Sequence, residues 1–318
     1  MNIFVCQTPF QLFYAFLLIR KFGKEKYCII HSDLDLSNYE IGSHGVTMNT
    51  KEKGLSIIGS VFNYRRIIKQ INNFNKTEKQ IAYFIPHVGG LIANYIYHNK
   101  KVKEINFFYE GVLYFYDFIE PYNKNHFKRT VLGLAIGFTY RHKKVIYPYR
   151  STKIKHIYTP IKLLTKGNKE KIIEVKFDTS KINKLSSKSY LIIGGPVPYS
   201  KLLYESAIES ILKDDESPKI YYKGHSSFLT HNKTHKNEFL EISKKYKIIF
   251  EELNILEPVE VSLTKIHVTH IISYFSSALV NFNLIKNNNI DVLCYNDGKL
   301  NDDLKKVINH FKIKMIHV

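Results

Sequence analysis

Apolar runs alternate with amphipathic segments from the first residues of the chain onward. The run "NIFVC" at 2–6 predicts a buried strand, and "TPFQLFYAFLLIRKF" predicts a helix with Thr8 as its N-cap and Pro9 in its first turn. "KYCIIHSD" at 26–33 predicts a second strand. This β-α-β opening is typical of a parallel sheet, in which functional side chains gather where the strands end.

The same alternation continues in two blocks separated by a lysine-rich, weakly periodic stretch at 150–188. The first block predicts helices near 59–74, 89–99 and 127–140 and strands at 80–86 and 105–111. The second predicts strands at 189–197, 219–225, 247–252 and 290–297, with helices between them and a strand turning into a helix within 268–285. The predicted fold class is α/β, with two Rossmann-like domains facing a central cleft, an arrangement called GT-B. The predicted boundaries are 1–160, a linker at 161–188, and 189–318.

Composition agrees with a packed protein of two domains. The chain has 318 residues, of which 44% are hydrophobic, with 23 Tyr and 21 Phe. Cys6, Cys28 and Cys294 lie far apart, so neither a disulfide framework nor a zinc site is indicated. We find no leader pattern and no apolar run of the length that a membrane span needs, so a cytoplasmic location is expected.

The charge is strongly positive. Lys and Arg number 47 against 28 Asp and Glu, a formal net charge of +19. Such a balance predicts attraction to polyanions, which include nucleic acid, anionic lipid headgroups and phosphorylated substrates. Charge alone does not choose among these partners.

Three short polar segments fall where predicted strands end. They are "YEG" at 109–111, "KGHSS" at 223–227 and "SSAL" at 276–279. Glu110 stands out because the surrounding stretch "FFYEGVLYFYDF" at 107–118 contains no Lys or Arg. Each segment is weak alone, and their order across two domains carries the information.

This ordered set resembles the bacterial sialyltransferases that act on lipooligosaccharide and capsule chains, the glycosyltransferase family 52 type, and their polysialyltransferase relatives. Those families carry an acid-acid-glycine motif in the first domain, then a Lys-x-His-Pro motif and a serine pair in the second. The opening "VCQTPFQL" at 5–12 also looks like the first strand and loop of the lipooligosaccharide group. Two departures are Tyr109, in place of the first acid, and Ser226, in place of the usual proline.

The resemblance implies an inverting, metal-independent transfer of sialic acid from CMP-sialic acid to a terminal sugar, without a cofactor. Glu110 would be the general base and His225 the donor to the departing phosphate. The implied CMP-sugar-binding residues are Lys223, Gly224, Glu260, Ser276 and Ser277, with Glu257 as the second choice for the ribose. Gly195 and Pro196 are expected near the nucleotide, and Thr8, Gln11 and Tyr109 on the sugar or acceptor side.

The chemistry of such a donor can be argued separately. A CMP-sugar already carries a phosphate leaving group, so transfer needs a base for the acceptor hydroxyl and donors for the developing phosphate charge. A carboxylate, a histidine and hydroxyls at a helix N-terminus supply that set. A single inverting displacement uses one base, which agrees with one acid at 110.

Two metal patterns are disfavoured. The Asp-Leu-Asp of "SDLDL" at 32–36 has the spacing of manganese-dependent transferases, but the tandem fold generally does without it. His231 and His235 have zinc spacing but Asn and Lys neighbours, as on a solvated helix.

Alternative functions are a transferase of the same fold that uses another CMP-sugar such as CMP-Kdo, and a basic nucleic-acid-binding protein. Under the main interpretation the partners are CMP-sialic acid, a glycan or glycolipid acceptor and, through peripheral contact, the anionic inner face of the cell membrane. Nucleic acid is not a partner in that interpretation, and a homodimer is left open.

Overall fold

The computed structural model divides the chain into two compact units, Met1–Lys176 and Phe177–Val318. The structure describes residues 1–23, 25–50, 57–115, 124–177, 188–195, 200–224, 234–254, 257–263, 266–274, 276–285, 291–296 and 302–317.

The first unit is built on a seven-stranded parallel sheet with the order β3-β2-β1-β4-β5-β6-β7. Its strands are β1 (Asn2–Cys6), β2 (Tyr27–His31), β3 (Gly45–Asn49), β4 (Ala82–Ile85), β5 (Ile105–Phe108), β6 (Ile154–Thr159) and β7 (Ile172–Glu174). Its helices are α1 (Pro9–Phe22), α2 (Ile57–Thr77), α3 (Leu91–His98) and α4 (Lys124–Ile136). The strand order reverses between β1 and β4, which is where ligands bind in sheets of this kind.

Local sequence explains why α1 begins and ends where it does. The Thr8 side-chain oxygen accepts a hydrogen bond from the backbone N–H of Gln11 at 3.2 Å, and Pro9 occupies the first turn, as predicted. The helix ends at Gly23, whose φ of 73° favours glycine. The cap places the loop after β1 at the edge where the strands end.

The second unit has a six-stranded parallel sheet with the order β10-β9-β8-β11-β12-β13. Its strands are β8 (Ser189–Ile193), β9 (Lys219–Lys223), β10 (Phe250–Glu252), β11 (His270–Tyr274), β12 (Asp291–Asn296) and β13 (Lys314–His317). Its helices are α5 (Ser200–Asp214), α6 (Thr234–Lys245), α7 (Val259–Ser262), α8 (Ser277–Ile285) and α9 (Asp302–Phe311). Here the order reverses between β8 and β11, which repeats the pattern of the first unit.

Alternation along β8 shows how the second sheet is buried on both faces. Leu191 joins one apolar cluster with Ile271, and Tyr190 and Ile192 join another with Ile272. Because successive side chains of a strand point to opposite faces, helices must cover both sides of this sheet. This burial on both faces explains why the strands of the second sheet are nearly continuous runs of apolar residues.

The two parallel α/β sheets confirm the predicted fold class. The end of the first domain needs correction, because the range predicted as a linker contains β7, whose residues Ile172–Glu174 pair with β6 and extend the first unit to Lys176. Strands β3, β6, β7 and β13 were not predicted. In the part of the chain that the structure describes, no helix is both long enough and apolar enough to cross a membrane.

Candidate functional site

Glu110 lies at the carboxyl end of β5, on the edge of the first sheet where α/β proteins bind ligands. The next residue, Gly111, has a φ of 130°, a conformation that favours glycine. Only 8% of the Glu110 side chain is exposed. A carboxylate with so little water contact needs partners in the protein.

Three side chains from distant parts of the sequence surround this carboxylate. The Tyr147 hydroxyl donates a hydrogen bond to Glu110 Oε1, and Gln11 Nε2 donates to Oε2 at 2.6 Å. His87 Nε2 lies 3.7 Å from the same Oε2 atom. We call Glu110, Gln11, Tyr147 and His87 the Glu110 cluster.

His87 comes from the loop after β4, the neighbour of β5 in the sheet. The backbone N–H of Gly89 donates to His87 Nδ1 at 2.9 Å, so Nε2 carries the proton of the neutral ring and faces Glu110. The Tyr140 hydroxyl donates to the carbonyl of Gly89 at 2.9 Å. The loop that aims the imidazole at the carboxylate is therefore held from two sides.

Tyr147 is fixed as a neutral donor by its surroundings. Burial first, and then the nearby Glu110 charge, raises the pKa of Tyr147 well above its ordinary value. The ring stacks on Tyr149 with centroids 5.6 Å apart. Neither Tyr147 nor His87 was predicted from the sequence. His87 follows the predicted strand next to β5, which is a usable signal, whereas no local pattern marks Tyr147.

The residues predicted on the sugar or acceptor side separate into different roles. Gln11 is buried and belongs to the Glu110 cluster, while its Oε1 atom accepts from the backbone N–H of Gln7 at 2.6 Å. Thr8 is exposed beside it and caps α1. The expectation that Tyr109 lies on the acceptor side needs correction. Its ring is fully buried and packs edge-on against Phe10, so it belongs to the core and does not line an acceptor surface.

A cavity of about 220 Å³ lies at the carboxyl ends of β1 and β2. Gln7, Ser32, Thr50 and Tyr64 contribute polar groups to its lining. Gly90 fits against Gln7 so closely that a Cβ atom at this position would lie 1.9 Å from Gln7 Nε2. Gln7 thus links this cavity, through Gln11, to the Glu110 cluster.

In the second unit, Lys223 is the last residue of β9, and its backbone carbonyl accepts from Gly194 at the end of β8. Gly224 and Gly195 therefore lie at the same edge of this sheet. The Lys223 ammonium is buried and donates to the carbonyl of Asn254. Burial lowers the pKa of Lys223 to about 8, against the opposite effect of Glu257 and Glu260.

Glu260 lies in the short helix α7 and is 5% exposed. Its carboxylate accepts a hydrogen bond from Asn281 Nδ2 on α8 at 2.7 Å. Burial raises the pKa of Glu260, while the hydrogen bonds and Lys223 act against that shift. Glu257, the second choice of the sequence analysis, accepts from the Ser262 hydroxyl at 2.8 Å.

The serine pair lies where predicted, between the end of β11 and the start of α8. The Ser276 hydroxyl oxygen is buried and has no hydrogen-bond partner within the described residues. Such an atom is rare in a folded protein and next to a helix N-terminus is suited to an anionic ligand. His225 and Pro196, which were expected at the donor site, and His231 of the disfavoured zinc pattern lie outside the described residues.

A metal-binding cluster of three or more His, Cys, Asp or Glu side chains is absent from the described part of both units. The second sheet edge carries the cation of Lys223 and the hydroxyls of Ser276 and Ser277. Glu260 is linked to the same helix as Ser277, α8, by its hydrogen bond from Asn281. The first edge carries the Glu110 cluster. The two edges therefore differ in chemistry, an acid with its donors on one and cation and hydroxyl groups on the other.

Comparison with known proteins gave no match to a family model and no match to a curated protein. Solved structures do match in fold. A UDP-GlcNAc 2-epimerase from Methanocaldococcus jannaschii has a TM-score of 0.56 at 11% identity and covers 100% of this chain and 89% of its own. The GT-B domain of a Photobacterium damselae sialyltransferase has a TM-score of 0.53 at 10% identity over 100% of both chains.

A 2,6-sialyltransferase from Photobacterium sp. JT-ISH-224, whose structure holds CMP and lactose, has a TM-score of 0.55 at 11% identity. It covers 99% of this chain and 78% of its own. At this identity the likeness concerns the fold. Transferases and epimerases share that fold, so the choice between reactions depends on the residues of the site.

Proposed function

We propose that this protein is an inverting glycosyltransferase that moves sialic acid from CMP-sialic acid to a terminal sugar of a lipooligosaccharide or capsular glycan. The observation that carries the proposal is the Glu110 cluster, a nearly buried carboxylate at the carboxyl end of a central parallel strand. Its hydrogen-bond donors hold it in one orientation, as a positioned base requires.

In the proposed reaction, Glu110 accepts the proton of the acceptor hydroxyl as that oxygen attacks the anomeric carbon of the donor. The bond from this carbon to the phosphate oxygen breaks, and CMP leaves with the bonding electron pair. Attack from the face opposite to the leaving group inverts the anomeric carbon. The cavity beside Gln7 is the proposed place of the acceptor sugar, because it adjoins the base through Gln11.

The second unit is proposed to hold the nucleotide. The Ser276 hydroxyl, which has no partner among the described residues, and the first N–H groups of α8 supply hydrogen bonds that suit a phosphate. Lys223 supplies positive charge at the same sheet edge, and His225 is proposed to donate to the phosphate as it departs. Glu260 is the proposed ribose partner, with Gly195, Pro196, Gly224 and Ser277 as the surrounding contacts.

The test is a donor screen with a matched pair of variants. Wild-type protein is incubated with CMP-sialic acid, CMP-Kdo or UDP-GlcNAc and a soluble oligosaccharide acceptor, and the released nucleotide and the sugar product are measured. Glu110→Gln removes the proposed base. Glu104→Gln makes the same chemical change just before β5, at a side chain that is 58% exposed, and serves as the control.

The proposal expects turnover of CMP-sialic acid, a loss of at least about 100-fold in kcat for Glu110→Gln, and no change for Glu104→Gln. CMP binding by Glu110→Gln should be retained. Turnover of CMP-Kdo alone would refute the sialic acid assignment, and conversion of UDP-GlcNAc to its 2-epimer would refute transfer. Release of CMP at the wild-type rate by Glu110→Gln would refute the role of the base.

A further inference from the structure

Two helices of the first unit expose an unusual set of large apolar side chains. Each of these side chains is between 51% and 69% exposed to solvent. They are Ile58 and Phe62 on α2, and Phe127, Val131 and Leu134 on α4. We call these five residues the apolar patch. Single exposed apolar residues are ordinary, but five of them on two neighbouring helices require an explanation.

The sequence spacing of the patch residues places those of each helix on one face of that helix. Ile58 and Phe62 are four residues apart, and Phe127, Val131 and Leu134 follow the i, i+4, i+7 pattern. A cross-helix hydrogen bond connects the two helices, since Arg65 Nε donates to the carbonyl of Ala135 at 3.0 Å. This bond lies next to Leu134 and one helical turn from Phe62, so the two rows of apolar side chains meet there.

The charged side chains of α2 and α4 all have one sign. The sequences of α2 and α4 contain no Asp or Glu, and they carry four and three Lys or Arg residues respectively. Lys69, Lys124 and Lys128 are exposed. Two helices with exposed apolar side chains and only positive charges of their own match the interface of an anionic bilayer, in which acyl chains lie beneath phosphate headgroups.

Both helices are also connected to the candidate site. Tyr64, two residues after Phe62 on α2, lines the cavity beside Gln7. Tyr140, shortly after the end of α4, donates to the carbonyl of Gly89 in the His87 loop. The patch therefore belongs to the elements that shape the acceptor side of the first unit.

We propose that the apolar patch and its basic rim bind the surface of an anionic membrane. The proposal of membrane binding depends on this surface and not on the transferase assignment. The purpose of that binding, which is to bring the site to acceptor sugars carried on membrane lipids, rests on the proposed function. A membrane is favoured over a protein partner because α2 and α4, the two helices that carry the patch, bear seven Lys or Arg residues and no carboxylate for complementary pairing.

The experiment measures co-sedimentation of the full chain with vesicles of phosphatidylcholine, with and without 30 mol% phosphatidylglycerol. One variant replaces Phe62, Phe127 and Leu134 by Ser. Its control replaces Leu163, Leu202 and Ile249 by Ser, three apolar residues that are at least half exposed but lie outside the patch. Circular dichroism and thermal unfolding check that each variant is folded.

A second pair of variants tests the charge. Lys69, Lys124 and Lys128 are replaced by Gln, and the control makes the same change at the exposed residues Lys188, Lys213 and Lys244 of the second unit. Each cation near an anionic surface contributes about fivefold to partitioning, so the rim variant should bind about 100-fold more weakly. The control should retain most of the binding because its lysines belong to neither of the two helices that carry the patch.

The inference expects binding to anionic vesicles that weakens with salt, little binding to neutral ones, and loss of binding only in the two patch variants. Binding by the apolar triple variant at the wild-type level would overturn it, as would an equal loss in its control. A dimer in sedimentation that dissociates only in the apolar triple variant would show a subunit interface instead. No donor is present in this assay, so its failure is separate from failure of the transferase proposal, which uses a soluble acceptor.

Discussion

Replacement of Tyr147 by Phe tests whether the Glu110 cluster is a single working unit. The change removes one oxygen atom and leaves the ring, which is 2% exposed and packs against Tyr149. What is lost is the hydrogen bond from the Tyr147 hydroxyl to Glu110 Oε1. The carboxylate then keeps its contacts with Gln11 and His87 at the other oxygen only.

The size of the effect follows from the burial of the carboxylate. Hydrogen bonds to charged partners stabilise a fold by about 1.5 to 3 kcal/mol, and little water can replace the lost donor at a side chain that is 8% exposed. For a unit of this size, that free energy corresponds to a fall of about 3 to 12 °C in the Tm of the first unit. We also expect kcat to fall at least about tenfold, because the carboxylate loses the donor that orients it.

The assay combines thermal unfolding with transfer kinetics, and Tyr149→Phe is the matched control. Tyr149 is a buried neighbour of Tyr147, but its hydroxyl donates to the neutral carbonyl of Tyr114 at a longer 3.4 Å. Its loss should cost less than about 1 kcal/mol. Each change is also made in the Glu110→Gln background, where Tyr147→Phe should have a smaller effect on stability, since its charged partner is gone.

Either of two results would contradict a specific bond between Tyr147 and the Glu110 carboxylate. One is equal destabilisation by Tyr147→Phe and Tyr149→Phe. The other is the same loss of stability from Tyr147→Phe in the presence and absence of the Glu110 charge, which would mean that the hydroxyl acts on something else.

Three further predictions concern other parts of the site. Burial lowers the pKa of Lys223 to about 8, so its positive charge is lost above that pH and the KM for the donor should rise from pH 7 to 9. Lys223→Arg should flatten this rise, because arginine stays charged. A pH profile that is the same in the variant and the wild type would contradict the role of Lys223. Because burial raises the pKa of Glu260, the native state keeps a proton that the unfolded state releases above about pH 4.5. The free energy of unfolding measured in urea should therefore fall as the pH rises from about 4.5 through the raised pKa of Glu260. Glu260→Gln should remove this trend, and a trend that persists in the variant would contradict the prediction. Gly90→Ala should displace the Gln7 side chain and raise the KM for the acceptor with little change in Tm. The control is Gly42→Ala, where a Cβ meets no atom within 4 Å, and it should change neither quantity. Equal kinetics for the two variants would refute the role of Gln7.

Much of the fold was predictable because it depends on local patterns. Buried runs such as "NIFVC" and the cap formed by Thr8 and Pro9 specify strand and helix through burial and backbone hydrogen bonding alone. Two of the strands that escaped prediction have weak local signals: the consecutive residues Lys155 and His156 interrupt the apolar residues of β6 in a lysine-rich stretch, and β7 has only three residues. Their pairing with β5 and with each other comes from the sheet and not from their own propensity.

From the sequence alone, an acid is expected at the end of a buried strand, at Glu110, and a serine pair at a strand-to-helix turn. The absence of Lys and Arg from 107–118 suggests an acid without a basic neighbour. In the folded chain, parallel strand order instead brings His87 from β4 to 3.7 Å from the carboxylate, and Gln11 and Tyr147 come from still farther along the chain. Strands distant in sequence end side by side at one sheet edge, so the order of the strands determines which groups become partners of a buried charge.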